Sequence, residues 1–148
     1  MNDLFDLPSW TQLFRVTVRL VVAVILGGLL GFEREREGKS AGLRTHMLVA
    51  LGSALFTVAS LEAGMSLSDL RRVFQGIAAG IGFIGAGTIL KRKDEDQIKG
   101  LTTAAGVWLT GAVGVAAGAG LLWIPVVGVA LALIILSALV WVGRRIKS

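Results

Sequence analysis

The sequence has no cysteine and no tyrosine among its 148 residues, and its only histidine is His46. The absence of thiols excludes disulfide frameworks, thiolate metal sites and cysteine nucleophiles, and one imidazole cannot form a multi-histidine metal site. A metal ion would therefore need oxygen ligands. Because no nucleophile elbow, Walker loop, metalloprotease helix or paired-acid hydrolase pattern occurs either, we do not expect an enzyme.

Charge is also scarce in this chain. Charged residues make up 17% of it and hydrophobic residues 54%, with a mean hydropathy of +0.75. The formal net charge of +5 comes from short basic clusters between apolar runs. Such clusters are typical of contacts with anionic lipid headgroups, and no pattern of a nucleic-acid-binding module is present. The composition predicts an integral membrane protein in contact with the lipid bilayer and not with nucleic acid.

The apolar runs predict an all-α fold, a polytopic transmembrane helical bundle of about five spans that forms one domain over residues 1–148. The predicted spans cover approximately residues 16–32, 45–61, 73–90, 101–118 and 122–142. The last two come from the 44 residues between Gly100 and Gly143 that carry no ionisable side chain, roughly twice the length of one span. This run must fold back once.

Glycine and proline mark where the long apolar run reverses. Gly118-Ala119-Gly120 predicts the turn, and Pro125 then falls in the first turn of the next helix, where its missing N–H is tolerated. At the other end of the chain, residues 1–15 lack the features of a secretory signal, so we expect Met1 to be kept. Trp10 there predicts a short interfacial segment with the indole at headgroup depth.

Basic residues are unevenly divided between the two sides of this five-span arrangement. Eleven lysines and arginines fall on one side and four on the other. Positive residues preferentially stay in the cytoplasm. The division predicts an amino terminus outside and a carboxyl terminus in the cytoplasm of a bacterial inner membrane.

Two stretches suggest an internal duplication of helical hairpins. Gly42-Leu43-Arg44-Thr45 and Gly100-Leu101-Thr102-Thr103 each open a span after a charged loop, 58 residues apart. At the same offset Gly27 corresponds to Gly85. A duplication would place its symmetry axis along the membrane normal, whereas the alternative is chance agreement in a chain rich in small residues.

Glycines at helical spacing predict close contacts between helices, because small residues let helix backbones approach in lipid. One interpretation is packing within one chain or between two copies, giving a homo-oligomer, most simply a dimer. The other is a hinge or a narrow permeation path along the glycine-rich third span. The glycines concerned are Gly27, Gly31, Gly76, Gly80, Gly82, Gly85, Gly87, Gly114 and Gly118.

The loop after the first span is the most informative polar stretch. Glu33 and Arg34 directly follow an apolar run, where an unpaired charge is costly, so we expect them to pair with Lys39, Arg44 or the neighbouring hairpin. One hypothesis is an ion-pair network that fixes helix ends. The other is a polar site that faces the cytoplasm.

In the second hypothesis, Glu33, Arg34, Arg44, Thr45 and His46 converge with Thr102 and Thr103. Carboxylates there could hold a hydrated Mg²⁺, whereas the cations would favour an anion such as phosphate. We expect His46 to be a hydrogen-bonded interface residue rather than a ligand. Gln75 is expected to bond across helices.

Several motifs together strongly resemble the membrane domain of the MgtC/SapB family. They are Gly-x-Glu-Arg-Glu at 31–35, Lys39-x-Ala-Gly-Leu-Arg-Thr-His46, the glycine-rich Gln75–Gly87, and Lys99-Gly-Leu-Thr-Thr-Ala-Ala105 followed by Trp108. The resemblance extends from about Arg19 to Gly120. It implies a bacterial inner-membrane protein of about five spans that is linked to magnesium limitation and, in some pathogens, to virulence through survival inside host cells.

The resemblance also implies a regulator rather than a proven magnesium transporter, acting through another membrane complex such as the F-type ATP synthase. The alternative is a carrier of Mg²⁺ or another solute, with a path along the third span. Long family members append a soluble cytoplasmic domain that we expect this chain to lack, and no cofactor is implied beyond Mg²⁺.

The family motifs also name the candidate site residues. These are Glu33, Arg34, Glu35, Lys39, Arg44, Thr45, His46, Gln75, Thr102 and Thr103, with Glu33 and Glu35 as candidate metal ligands.

Overall fold

Helices make up about four fifths of the described residues. The computed structural model describes residues 8–91 and 98–146. In chain order, the elements are α1 (Trp10–Arg36), α2 (Leu43–Glu62), α3 (Leu67–Ala86), β1 (Leu90–Lys91), β2 (Ile98–Lys99), α4 (Leu101–Gly118) and α5 (Trp123–Ile146). The two strands pair antiparallel, with Leu90 opposite Lys99. Both lie in the connection between α3 and α4. The predicted all-α class is confirmed.

The first helix is longer at both ends than the predicted span 16–32. It begins at Trp10 because Ser9 caps it, with Ser9 Oγ accepting a hydrogen bond from the Gln12 N–H at 3.2 Å. Its 27 residues rise about 40 Å, more than the roughly 30 Å of bilayer hydrocarbon. Residues 10–15 of the predicted interfacial segment therefore continue the helix, and residues 1–7 lie outside the described residues.

The third helix is displaced from the predicted span 73–90. It begins at Leu67 because Ser66 caps it, accepting a hydrogen bond from the Asp69 N–H and donating one to the Asp69 carboxylate at 2.6 Å. It ends at Ala86, where the Thr88 N–H donates back to the Gly85 carbonyl oxygen at 2.9 Å. Leu90 therefore belongs to the hairpin and not to the helix.

The reversal between α4 and α5 lies where the sequence predicts it. Gly120 adopts a φ of +82°, in the left-handed region that glycine favours. The Leu121 N–H donates to the Ala116 carbonyl oxygen at 3.1 Å, which closes the end of α4. Pro125 is the third residue of α5, and its ring is buried.

The packing places small residues inside and large apolar residues outside. One buried cluster consists of Ala23, Ala50, Ala54 and Ala117, from α1, α2 and α4. The opposite face of α1 presents Val21, Ile25, Leu29 and Phe32 to the surroundings, each about half exposed or more. Such a surface would be unstable in water but suits a bilayer, in which small residues let helices approach.

The helices are arranged around α4, which contacts α1, α2, α3 and α5. Consecutive helices run antiparallel, so the bundle has two ends. We call the one formed by residues 37–42, 87–91 and 98–100 the hairpin end, and the other the opposite end. α3 packs more loosely than α1 and lies at the edge of the bundle beside α2 and α4.

Three helices are long and apolar enough to cross a membrane by length and composition alone, namely α1, α2 and α4. α3 is not among them because its first turns carry Asp69, Arg71 and Arg72. In α5, the apolar segment found within the described residues is 123–138. The arrangement is that of a membrane helical bundle, and the five-span topology stays a prediction.

One contact recurs at the offset of the suggested duplication. A Cβ added at Gly27 would lie 2.8 Å from the His46 carbonyl oxygen, and one added at Gly85 would lie 3.2 Å from the Ala104 carbonyl oxygen. Both residues of the second pair follow those of the first by 58 positions. The two hairpins therefore share one helix–helix register at this point, as a duplication requires.

Candidate functional site at the hairpin end

Arg34 is a charged side chain in the interior of the bundle. It lies in the last turn of α1, on the same buried face as Leu30 and Gly31, and is 2% exposed. Its guanidinium binds the adjacent Glu33 in a bidentate manner: Nη2 donates to Oε1 at 2.6 Å, and Nε donates to Oε2. A charge-assisted pair of this geometry compensates for burying the cation.

Glu33 and Arg34 pair with each other rather than with Lys39 or Arg44, and most of the neighbouring hairpin, residues 92–97, lies outside the described residues. α1 continues through both residues to Arg36, so their side chains stay beside the helix. Lys39 and Arg44 are exposed instead. The ion pair of the site is therefore local to α1.

His46 is wedged between α1 and α4. Its Nδ1 donates to the Gly42 carbonyl oxygen at 2.9 Å, because a carbonyl can only accept. A Cβ at Gly31 would lie 2.9 Å from the His46 Cβ, and one at Gly106 would lie 3.6 Å from Nε2. The side chain is fully buried, and Nε2 has no hydrogen-bond partner among the described residues. Nδ1 thus makes His46 a hydrogen-bonded residue at the helix interface, as the sequence predicts.

Glu35 caps the second helix from the end of the first. Gly42 at the N-cap of α2 has no side chain to offer, and Glu35 Oε2 accepts a hydrogen bond from the Leu43 N–H at 2.8 Å. A Cβ at Gly42 would lie 2.6 Å from that same oxygen. The carboxylate therefore joins two helices, and a side chain at position 42 would displace it from this hydrogen bond.

The structure brings only part of the predicted site together. Arg34, His46 and Thr103 are buried at the hairpin end, and Glu33 and Thr45 are partly buried. The exposed members are Glu35, Lys39, Arg44, Gln75 and Thr102. Gln75 makes no hydrogen bond to any described residue, so its predicted bond across helices is absent within one chain.

Both candidate metal-binding carboxylates already have a partner within the protein. Glu33 is bound by a guanidinium, and Glu35 accepts a backbone N–H. Among residues 8–91 and 98–146, no group of three or more histidine, aspartate or glutamate side chains could hold a metal ion. Carboxylate oxygens of the kind that Mg²⁺ prefers are present here, and in each residue at least one of them accepts a hydrogen bond from the protein.

The glycines divide into two groups. A Cβ would meet a neighbouring helix within 3.0 Å at Gly27, Gly31, Gly114 and Gly118, and within 3.2 Å at Gly85. At Gly87 it would approach only the Ile84 carbonyl oxygen of the preceding turn, and Gly76, Gly80 and Gly82 have open space around them. Close packing within the chain therefore involves the first group, and the open α3 glycines leave the predicted homo-oligomer untested.

Two apolar grooves run along α3. One, of about 670 Å³, lies between α2 and α3, and the other, of about 360 Å³, lies between α3 and α4. The sequence gives no signal for either, because each depends on how far α3 stands from its neighbours.

Arg19 makes a contact between helices that the sequence does not predict. Its Nη1 donates to the Gly118 carbonyl oxygen at 3.3 Å, where the orphan carbonyls at the end of α4 carry partial negative charge. The sequence alone assigns Arg19 no partner. Its position one helical turn inside a span was the available signal.

The fold and this site define a class: an all-α membrane protein with a buried arginine–glutamate pair and an interfacial histidine at one end. The profile of the MgtC family matches residues 20–145. The chain belongs to the MgtC family.

Several curated relatives are similar to this chain. Protein SrpB of Synechococcus elongatus is 41% identical over 93% of this chain and 80% of its own length. The putative magnesium transporter YhiD of Escherichia coli K12 is 42% identical over 81% of this chain and 58% of its own. Protein MgtC of Brucella abortus is 47% identical over 76% of this chain and 46% of its own. The chain thus spans only about half of the last two relatives, and no solved structure matches it.

Proposed function

We propose that this protein is a magnesium-linked regulator of bacterial membranes that acts by binding another membrane complex. The magnesium link comes from the family and from its relative YhiD, which is named a putative magnesium transporter. The observation that carries the regulator is the state of the carboxylates. Glu33 and Glu35 are engaged by Arg34 and by the Leu43 N–H, so they serve the bundle rather than a passing ion.

The lining of the α3 groove supports the same choice. A path for a hydrated divalent cation needs polar or charged groups along its length. The larger groove is lined almost wholly by apolar side chains and glycines, and its one hydroxyl, Ser53, already donates to the Val49 carbonyl oxygen at 2.8 Å. Such a surface suits lipid or protein better than Mg²⁺.

The exposed part of the hairpin end is the surface we assign to the partner. Lys39 and Thr102 belong to the family motifs, yet both are exposed and make no hydrogen bond or ion pair through their side chains with described residues. We propose that this end faces the cytoplasm, as the excess of lysine and arginine indicates. A complex with a cytoplasmic portion, such as the F-type ATP synthase, is the kind of partner that could reach it.

Site-specific crosslinking in native membranes tests the regulator. A photoreactive amino acid at Lys39 or Thr102 should capture one defined protein, whereas the same group at Ile25, on the exposed face of α1, should not. Capture of nothing beyond this chain at either hairpin-end position would contradict the proposal. Since the chain has no cysteine, single substitutions such as Lys39→Cys and Gly64→Cys also report the orientation without background labelling.

The second candidate is a carrier of Mg²⁺ or another solute, which the name of YhiD as a putative magnesium transporter favours. Purified protein in sealed vesicles with a magnesium-sensitive dye inside separates the two functions. A carrier predicts flux that Glu33→Gln reduces and that Glu37→Gln leaves intact. Our proposal predicts no flux above that of empty vesicles under an inward magnesium gradient.

A further inference from the structure

The groove between α2 and α3 has the shape and chemistry of a lipid site. It holds about 670 Å³ and opens to the side of the bundle. Its walls are formed by apolar side chains and glycines, among them Leu48, Gly52 and Phe56 on α2 and Gly76, Gly80 and Ile84 on α3. Because its only hydroxyl is already bonded to the backbone, nothing in this lining calls for a polar ligand.

Glycines create the width of the groove. Gly52 on α2 and Gly76 and Gly80 on α3 all line it, and a Cβ at any of them would have no atom within 4 Å. Ile81 closes the floor by packing with the buried Val107 of α4. The groove is therefore built into the spacing of the helices, and larger side chains at the glycines would fill it.

The length of the groove matches half a bilayer. Leu48 to Phe56 on α2 spans roughly 12 Å, and Val73 to Ile84 on α3 roughly 16 Å, at 1.5 Å per residue. One leaflet of a bilayer with about 30 Å of hydrocarbon is about 15 Å deep. One acyl chain can therefore lie along the groove from the headgroup level to the bilayer centre.

A cation stands at the hairpin end of the groove. Arg44 precedes Leu48 by one turn of α2, and Gly52 and Phe56 continue the same face at intervals of four. The Arg44 side chain is exposed and forms no hydrogen bond or ion pair with any residue in the described ranges. It lies about 6 Å beyond the apolar lining, at headgroup depth for a chain in the groove.

We propose that this groove binds an anionic phospholipid from the leaflet at the hairpin end, with an acyl chain against Gly52, Gly76 and Gly80 and the phosphate at Arg44. Charge complementarity selects an anionic headgroup over a zwitterionic one. A second copy of this chain is the competing occupant. The exposed Arg44 at the hairpin end of the groove favours the lipid over a second copy, and the oligomeric mass of Gly80→Leu tests that choice.

The test uses the full chain purified from a membrane and exchanged into micelles that contain equal phosphatidylglycerol and phosphatidylcholine with identical acyl chains. Native mass spectrometry counts the lipids that remain bound after partial delipidation. The wild type should retain phosphatidylglycerol in several-fold excess. Arg44→Gln should bring the two lipids close to equal retention, whereas Lys39→Gln, which removes a charge at the same end but off the groove, should keep the excess.

Filling the groove tests the acyl-chain part separately. Gly80→Leu should lower the retention of both lipids several-fold, and Gly52→Leu from the opposite wall provides a second variant. Gly82→Leu is the matched control, since Gly82 also has open space but does not line the groove. Circular dichroism of each variant confirms that it is folded.

Three outcomes would overturn the proposal. The first is equal retention of the two lipids by the wild type. The second is loss of phosphatidylglycerol on Arg72→Gln and not on Arg44→Gln, which would place the headgroup at the opposite end. The third is a Gly80→Leu variant that changes the oligomeric mass and leaves bound lipid unaltered, which would identify a second copy as the occupant. None of these outcomes bears on the regulator, whose test is capture of a partner.

Discussion

Gly114 of α4 lies directly against the backbone of Ala50 on α2. A Cβ added at Gly114 would collide with the Ala50 carbonyl oxygen and would lie 2.7 Å from the Ser53 Cβ. One turn further on, a Cβ at Gly118 would lie 2.7 Å from the Ala54 carbonyl oxygen. Close backbone packing of this kind is a main source of helix association in lipid. Apolar side chains gain little free energy when they exchange contacts with acyl chains for contacts with another helix.

Gly114→Ala should therefore destabilise the bundle by about 1–3 kcal/mol, the usual effect of overpacking a filled interior. Gly82→Ala is the matched control, because Gly82 lies in a helix with nothing within 4 Å. It should be neutral or stabilising by up to about 1 kcal/mol, since alanine favours helix more than glycine does. Reversible unfolding by dodecyl sulfate in mixed micelles measures both, and equal stability of the two variants would show that the α2–α4 contact is not tight.

We expect the loss of Glu33 alone to destabilise the fold more than the loss of both members of the Arg34–Glu33 pair. Glu33→Gln leaves a buried guanidinium without its counter-charge and should destabilise the fold by about 3 kcal/mol or more. The double variant Glu33→Leu/Arg34→Met removes both charges and should recover most of that loss. Glu37→Gln, one turn further on and outside the pair, should stay within about 0.5 kcal/mol of the wild type.

These values come from the same dodecyl sulfate titration. If the double variant were no more stable than Glu33→Gln, the unpaired charge of Arg34 would not be the cause of the destabilisation by Glu33→Gln.

Arg19 should stabilise α4 from a neighbouring helix. Its guanidinium donates to the Gly118 carbonyl oxygen and covers Gly120. Arg19→Ala should cost about 1 kcal/mol, the usual effect of a cation near a helix carboxyl end. Arg15→Ala is the control, because Arg15 is exposed on the same helix and bonds to no described residue. Amide exchange of the last turn of α4 should accelerate in the first variant alone.

The sequence predicts the elements whose limits are set by strong local signals. α4 has the predicted bounds 101–118, because a charged stretch precedes it and Gly118-Ala119-Gly120 ends it. The helices α1 and α3 begin before the predicted spans 16–32 and 73–90, and Ser9-x-x-Gln12 and Ser66-x-x-Asp69 are the capping patterns that mark these starts. Counting apolar residues finds the part of a helix that suits hydrocarbon, and the caps show where the helix itself begins.

The site was harder to predict than the helices. Since α1 continues to Arg36, Gly27, Gly31 and Arg34 share one buried face, and this spacing could have placed Arg34 inside. The choice of Glu33 as its partner depends on side-chain rotamers, for which the sequence carries no signal. Gly76 and Gly80 have the spacing of packing glycines, yet α3 stands away from α2 there, a feature of tertiary geometry alone.

Two separate constraints favour glycine at position 100, directly before α4. Its φ of +96° lies in the left-handed region, and an added Cβ would also collide with the Thr88 carbonyl oxygen. Gly64 has a similar φ of +68° but open space around it. Gly64→Ala should therefore lower the stability of the fold only by the cost of a left-handed backbone conformation, about 1–2 kcal/mol. Gly100→Ala should lower it clearly more, because the collision adds to that cost.

The two variants separate backbone strain from collision in one dodecyl sulfate titration. If Gly100→Ala and Gly64→Ala lost the same stability, the turn at Thr88 would have moved to make room for the new methyl group. The α3–α4 connection would then be less rigid than its contacts indicate. A larger loss at Gly100 would mean that the hairpin fixes the position of α3 relative to α4. In that case the width of the grooves beside α3 is set at the hairpin end.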